Sequence, residues 1–235
     1  MQTAKSEGHV KSVQFHPSPQ VPVLLRVRIG GSLCSMCQVF LSPLSHIHTT
    51  HNPCSKIDGH TNPHIQTLHI PAPPLTNAVF HPTGSSVLLT GPCPFYYTYD
   101  LESGMTQRLP RGLWGTTFSS SNPASQDSSM EICAFSPTGE VLAVAGRRGH
   151  VHLVDWNSGA SQVIGNLKMN AGVKALWWAK GGSGEGNQLM SLSEHAEVYI
   201  WDVGERRCIR RWQDDGEFGS LVMTGDTAGK YLAIG

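Results

Sequence analysis

Cys34-x-x-Cys37, followed by His46, His48, His51 and Cys54, offers thiolate and imidazole ligands at nearly the separations of a tetrahedral zinc site. A zinc knuckle also needs turns that aim its ligands, and this stretch supplies Pro43 and Pro53 without a hairpin signal. The preferred reading is an unstructured insert without metal, whose free thiols would be reactive. Arg147-Arg148 in a glycine-bounded turn, and Arg206-Arg207 with Arg210-Arg211 around a strand, form the second group. Guanidinium forks match phosphate and carboxylate oxygens, so these six are candidate contacts to RNA or protein, set against the plainer reading of a solvated face. Trp114 and Trp212 offer faces on which a base would stack, although aromatic residues in strands more often pack between sheets. The glycine run 181–186 lacks the Gly-Lys-Ser/Thr of a phosphate loop and reads as a hairpin connection. The serine-rich stretch 119–129 reads as a disordered connecting loop and a phosphorylation target. No His-Glu-x-x-His, no Gly-x-Ser-x-Gly and no obvious catalytic carboxylate pair occurs, so neither an enzyme nor a cofactor is expected.

The elements that must carry these residues repeat. Phe80-His81-Pro82-Thr83-Gly84 leads to Tyr99-Asp100, and Phe135-Ser136-Pro137-Thr138-Gly139 leads to Val154-Asp155 at the same separation. A third copy runs from Trp177 through a glycine loop to Trp201-Asp202. A fourth opens with Gly8-His9 and Phe15-His16-Pro17 and closes at Ile57-Asp58, but its Phe and Asp lie more than twice as far apart. Within each copy a short strand, a Pro-x-Gly turn, an apolar strand, a second turn and an alternating strand ending in Asp follow in order, and a last strand comes after a polar turn. A unit of this kind cannot bury its own apolar face, so copies must stack. The predicted fold is all-β, a WD-repeat β-propeller with four antiparallel strands per blade.

Composition narrows the setting. The 235 residues are 39% hydrophobic and 14% charged, with a formal net charge of zero. A balanced chain has no global pull toward nucleic acid or an acidic membrane, so any RNA contact must be local or through neighbours. No apolar run reaches the roughly 20 residues of a spanning helix. Six cysteines, three of them bunched, do not form the framework of a secreted disulfide domain, and a reducing compartment is expected.

The tetrad of a regular WD repeat is largely missing, because the turns before the third strands read Gly91-Pro92-Cys93-Pro94, Gly146-Arg147-Arg148-Gly149 and Ser193-Glu194-His195 without the usual Asp. The ordered phrases from Gly165 to Val173, from Glu197 to Val203, and from Arg207 to Trp212 with Asp215-Gly216, resemble the U-three small nucleolar RNA-associated protein 18 family. Phe80 to Gly104 fits the preceding blade of that family. The resemblance implies a non-catalytic propeller scaffold of the small-subunit processome, acting in maturation of the small-subunit ribosomal RNA precursor in the nucleolus. It implies other processome propeller proteins as partners, contact with small nucleolar RNA and precursor rRNA mainly through them, and no membrane or small-molecule substrate. The alternative is a WD-repeat adaptor in another complex, such as a ubiquitin ligase.

The expected organisation is a blade at about 8–70 with an insertion at 26–55, blades at 71–110, 128–168 and 169–214, and a cut blade at 215–235. Family members carry an N-terminal extension and further C-terminal blades, so the chain reads as a fragment or truncated gene product. The insertion is free of Asp and Glu, and Phe40 to His46 is encodable by a pyrimidine-rich tract, which suggests a translated intron; the transcript sequence tests this. A first blade without its third strand and a cut last blade leave open sheet edges. The isolated chain is therefore expected to be oligomeric or insoluble, with protease cutting first at 28–55, as limited proteolysis and gel filtration would show.

Overall fold

A computed structural model describes the strand backbones at 9–15, 23–29, 35–41 and 64–70, together with residues 17–18, 75–92, 95–108, 130–157, 162–179, 188–214, 219–226 and 231–235, with backbone alone at 147. The chain divides into two compact units, residues 1–92 with 96–108, and residues 93–95 with 109–235.

In the first unit, β1 (His9–Phe15), β2 (Val23–Ile29), β3 (Ser35–Leu41) and β4 (His64–Ile70) form one antiparallel sheet in chain order. This departs from the sequence reading, which left residues 26–55 outside the sheet and the first blade without a third strand. Residues 26–29 instead continue β2, and β3 pairs with β2 from Val23↔Leu41 to Ile29↔Ser35 and with β4 on its other side. The physical reason is that an interior strand satisfies the N–H and C=O groups of both neighbours, which β2 and β4 would otherwise leave unpaired.

The second sheet of this unit is β5 (Asn77–Phe80), β6 (Ser86–Thr90), β7 (Tyr97–Asp100) and β8 (Thr106–Arg108). Alternation buries Ala78 and Phe80 from β5, and Val87, Leu89 and Tyr99 complete its core with Leu75. The β5–β6 turn closes through Gly84 at φ 78, whose N–H reaches the His81 carbonyl at 2.8 Å. That left-handed backbone is why a glycine stands there.

In the second unit, β9 (Cys133–Phe135), β10 (Val141–Ala145), β11 (His150–Asp155) and β12 (Gln162–Lys168) make one sheet. The next consists of β13 (Val173–Ala179), β14 (Gln188–Ser193), β15 (Glu197–Asp202) and β16 (Arg207–Gln213), and β17 (Met223–Gly225) pairs with β18 (Leu232–Ile234). No α-helix occurs among the described residues. The fold is all-β, and each full sheet is an antiparallel meander of four strands, the blade unit of a WD-repeat β-propeller.

Strand β13 ties these sheets together because its successive side chains point to opposite faces. The Trp178 indole N–H donates to the Ala134 carbonyl at 3.0 Å, toward β9. On the other face the Trp177 ring lies against Gly225 of β17, where an added Cβ would stand 2.4 Å from the ring. Gly225→Ala is therefore expected to displace β17 and to destabilise by about 1–3 kcal/mol, the usual range for overpacking. Thermal melting checks this, and an unchanged midpoint would show that the indole swings aside freely.

Candidate interaction surface

Three repeat acids end third strands, and their carboxylates fold the next turn. Asp100 Oδ1 accepts the N–H groups of Glu102 at 2.9 Å and Ser103 at 2.8 Å. Asp155 Oδ1 accepts from Asn157 at 3.1 Å, and Asp202 Oδ1 from Glu205 at 2.9 Å. These are Asx turns, in which a short acid satisfies backbone donors that the bend leaves free. The Ser103 backbone N–H holds the Asp100 carboxyl below its ordinary value of 3.8, with Glu102 adding to it and desolvation opposing. Because the folded-state value is the lower one, the contribution of this carboxylate to stability is full above 3.8 and is lost as pH falls through the folded value. A nuclear magnetic resonance titration of Asp100 should give a midpoint below 3.8, and a midpoint at or above it would refute the turn contact. Gly8 and Asp58 lie outside the described residues, and His9 begins β1.

Trp201, four percent exposed, donates its indole N–H to the Ser191 hydroxyl at 2.8 Å and stacks on Tyr199 with ring centroids 5.4 Å apart. It belongs to the core with Leu153, Leu167, Met169, Trp178 and Leu189, which joins the β9–β12 and β13–β16 sheets. Burial pushes the Tyr199 phenol above its ordinary value, and its hydrogen bond to Glu197 at 2.8 Å acts in the same direction.

The turns that lack the usual Asp are built otherwise. Gly149, at φ 75, presses so closely on the link to the next sheet that a Cβ would stand 2.3 Å from the Ala171 carbonyl oxygen and 2.6 Å from that of Met169. The Met169 N–H donates back to the Gly149 carbonyl at 2.7 Å. At the following turn, Glu194 Oε1 accepts the Gly172 N–H at 3.0 Å. Between these sheets a cleft of about 500 Å³ is lined by Glu131, Ile132, Ala145, Arg148, Val173 and Glu194 among others.

The candidate arginines separate. Arg147 and Arg148 occupy the 3-10 turn Arg147–Gly149, with Arg148 at φ 56 and exposed, and the Lys168 ammonium donates to the Arg148 carbonyl. Arg206 folds over Gly165 of β12, its Nε 3.1 Å from where a Cβ would be, so it contacts the neighbouring sheet. Arg207 pairs with Glu205, both well exposed. Arg210 sits over the half-buried Trp212 ring and Arg211 over Tyr199, each 5.8 Å from the centroid. Trp114 and the zinc candidates Cys34, His46, His48, His51 and Cys54 lie outside the described residues; Cys37 falls within β3, described by its backbone. Among the described residues no three His, Cys, Asp or Glu side chains gather to hold a metal. The Trp201–Ser191 bond and the close approach at Gly149 were not anticipated; the only sequence signals for them were a serine in an apolar strand and a glycine closing a turn.

The mouse U3 small nucleolar RNA-associated protein 18 homolog is 28% identical to this chain over 97% of its residues, and the human homolog is equally similar. A probable U3 small nucleolar RNA-associated protein 18 of Schizosaccharomyces pombe is 31% identical over 77% of the chain. This chain is similar to the U3 small nucleolar RNA-associated protein 18 homologues. It spans about a third of the length of these curated relatives, 35%, 34% and 32% respectively. The profile of the Anaphase-promoting complex subunit 4 WD40 domain also matches, at residues 106–181, which contain β8 to β13.

Proposed function

We propose that this chain is part of a non-catalytic WD-repeat scaffold that acts in the maturation of the small-subunit ribosomal RNA precursor, within the small-subunit processome of the nucleolus. The observation that carries the reading is similarity over nearly the whole chain to proteins named for association with U3 small nucleolar RNA. The geometry supports it. The buried side chains are spent on joining sheets and closing turns, and the exposed outer strands and loops are free to meet partners. Its partners are other propeller proteins of the particle, with the RNA reached mainly through them.

The second reading, an adaptor in another complex such as a ubiquitin ligase, is favoured by the profile match at 106–181. Affinity purification of the tagged protein from cells separates the two. Small nucleolar ribonucleoprotein proteins should co-purify, the protein should sediment in large preribosomal particles, and its depletion should leave uncleaved precursor rRNA. Normal precursor levels after depletion, or cullin-type subunits in place of ribonucleoproteins, would overturn the assignment.

A further inference from the structure

We propose that the outer edge of β16 binds the phosphate backbone of single-stranded RNA, with Arg210 and Arg211 holding it from the two faces of the strand; this rests on the RNA-processing reading above. Strand β16 ends its sheet, which runs β13-β14-β15-β16, so among the described residues one of its edges has no strand partner. Six of its seven residues are exposed. Arg210 faces Ile200 and Arg211 faces Tyr199 in the register, and adjacent strand residues project to opposite sides. The two guanidinium groups therefore lie on opposite faces of the sheet, Arg210 over Trp212 of β16 itself and Arg211 over Tyr199 of β15.

Each guanidinium rests on an aromatic ring, Arg210 on Trp212 and Arg211 on Tyr199. Neither takes part in an ion pair among the described residues, whereas Arg207 has Glu205. The Arg211 guanidinium also hydrogen-bonds the Tyr199 hydroxyl, which fixes it on the strand, and a guanidinium has five N–H donors, so others remain to meet phosphate oxygens. The carboxylates near the start of the strand are already engaged, Asp202 by the Glu205 N–H and Glu205 by Arg207. From Ile209 to Trp212 the strand carries no acidic residue, and the carboxylates near its far end are engaged too, Glu197 by the Tyr199 hydroxyl and Asp214 by the Ser220 hydroxyl.

The same charge would attract an acidic peptide, but an added peptide strand needs a regular edge. Here Ile209, 51% exposed, is the extra residue of a bulge between the Ile200↔Arg210 and Trp201↔Cys208 pairs. Bulges twist an edge and interrupt the row of donors and acceptors that a partner strand would use. Phosphate contact requires no such row.

The test uses a fluorescein-labelled oligouridylate of about 16 nucleotides, within the site size of single-strand binders, titrated by anisotropy with the 235-residue chain held in solution as a maltose-binding-protein fusion, the carrier alone serving as the blank. Potassium chloride is varied from about 50 to 200 mM. The R210Q/R211Q variant is expected to bind about tenfold more weakly at the low-salt end, with the logarithmic salt slope reduced by about 1.4, the amount for two lost phosphate contacts on a single strand. R210K/R211K should keep the slope, and Arg108→Gln should bind as the parent does. Melting curves of each variant show that the fold is intact. Equal affinity of R210Q/R211Q and the parent, a loss of affinity at unchanged slope, or binding of oligoglutamate in place of the oligouridylate would each overturn the proposal. Ultraviolet crosslinking of the same variants in cells gives an independent measurement. RNA crosslinks lost by a variant that still co-purifies with preribosomal proteins support the edge assignment, and retained crosslinks overturn it. Failure of the parent itself to co-purify would refute the processome reading instead.

Discussion

Trp201→Ala is expected to melt about 10 °C below the parent. Removing a buried tryptophan costs about 3–5 kcal/mol, and each kcal/mol lowers the midpoint of a chain of this size by about 2–4 °C. Two separate losses combine. The ring leaves a void among Leu153, Leu167, Trp178 and Leu189, and the Ser191 hydroxyl, fully buried, loses its donor. Trp201→Phe distinguishes them, because it keeps most of the volume and removes the N–H. It should cost more than the roughly 1 kcal/mol of a net hydrogen bond, since a smaller ring also packs less, but well under the alanine variant. Equal midpoints for the parent and Trp201→Ala would show that the two sheets do not depend on this residue.

Gly149→Ala should be as damaging, for a different reason. An alanine at φ 75 costs about 1–2 kcal/mol in backbone conformation alone, and its methyl would overlap two backbone carbonyl oxygens of the 169–171 link. Backbone cannot rotate away as a side chain can, so the link must shift and the Met169–Gly149 hydrogen bond with it. A total of about 3 kcal/mol or more is expected. Gly104→Ala serves as the reference: its φ is 67, but the nearest atom to an added Cβ is the Tyr99 hydroxyl oxygen at 4.0 Å. Thermal melting of both variants measures the contact separately from the conformation. If they lose the same stability, the link yields without cost.

The fold was legible because its signals are local. A Pro-Thr-Gly turn, an apolar strand and a terminal Asp recur at fixed separation from Phe80 and from Phe135, and each is decided by residues close together in the chain. Strand β3 was not legible. Its segment carries none of the repeat's markers, and its place in the sheet comes from pairing with β2 and β4, a long-range demand that leaves no mark on Ser35–Leu41. The surface was readable as residue types only. Four arginines between 206 and 211 look equivalent in sequence, yet one covers Gly165, one pairs with Glu205 and two rest on aromatic rings. Which of these occurs depends on the strand register and on the bulge at Ile209, neither of which composition specifies.

The two indoles of β13 point in opposite directions, Trp178 toward β9 and Trp177 toward β17. A stack in which each sheet touched its neighbours through independent contacts would lose structure one sheet at a time from its ends, as linear arrays do. Here one extended strand takes part in both junctions, so opening either disturbs the backbone that supports the other. The second unit should therefore unfold as one cooperative step, and hydrogen exchange should give the amides of β10, β14 and β15 a common opening free energy.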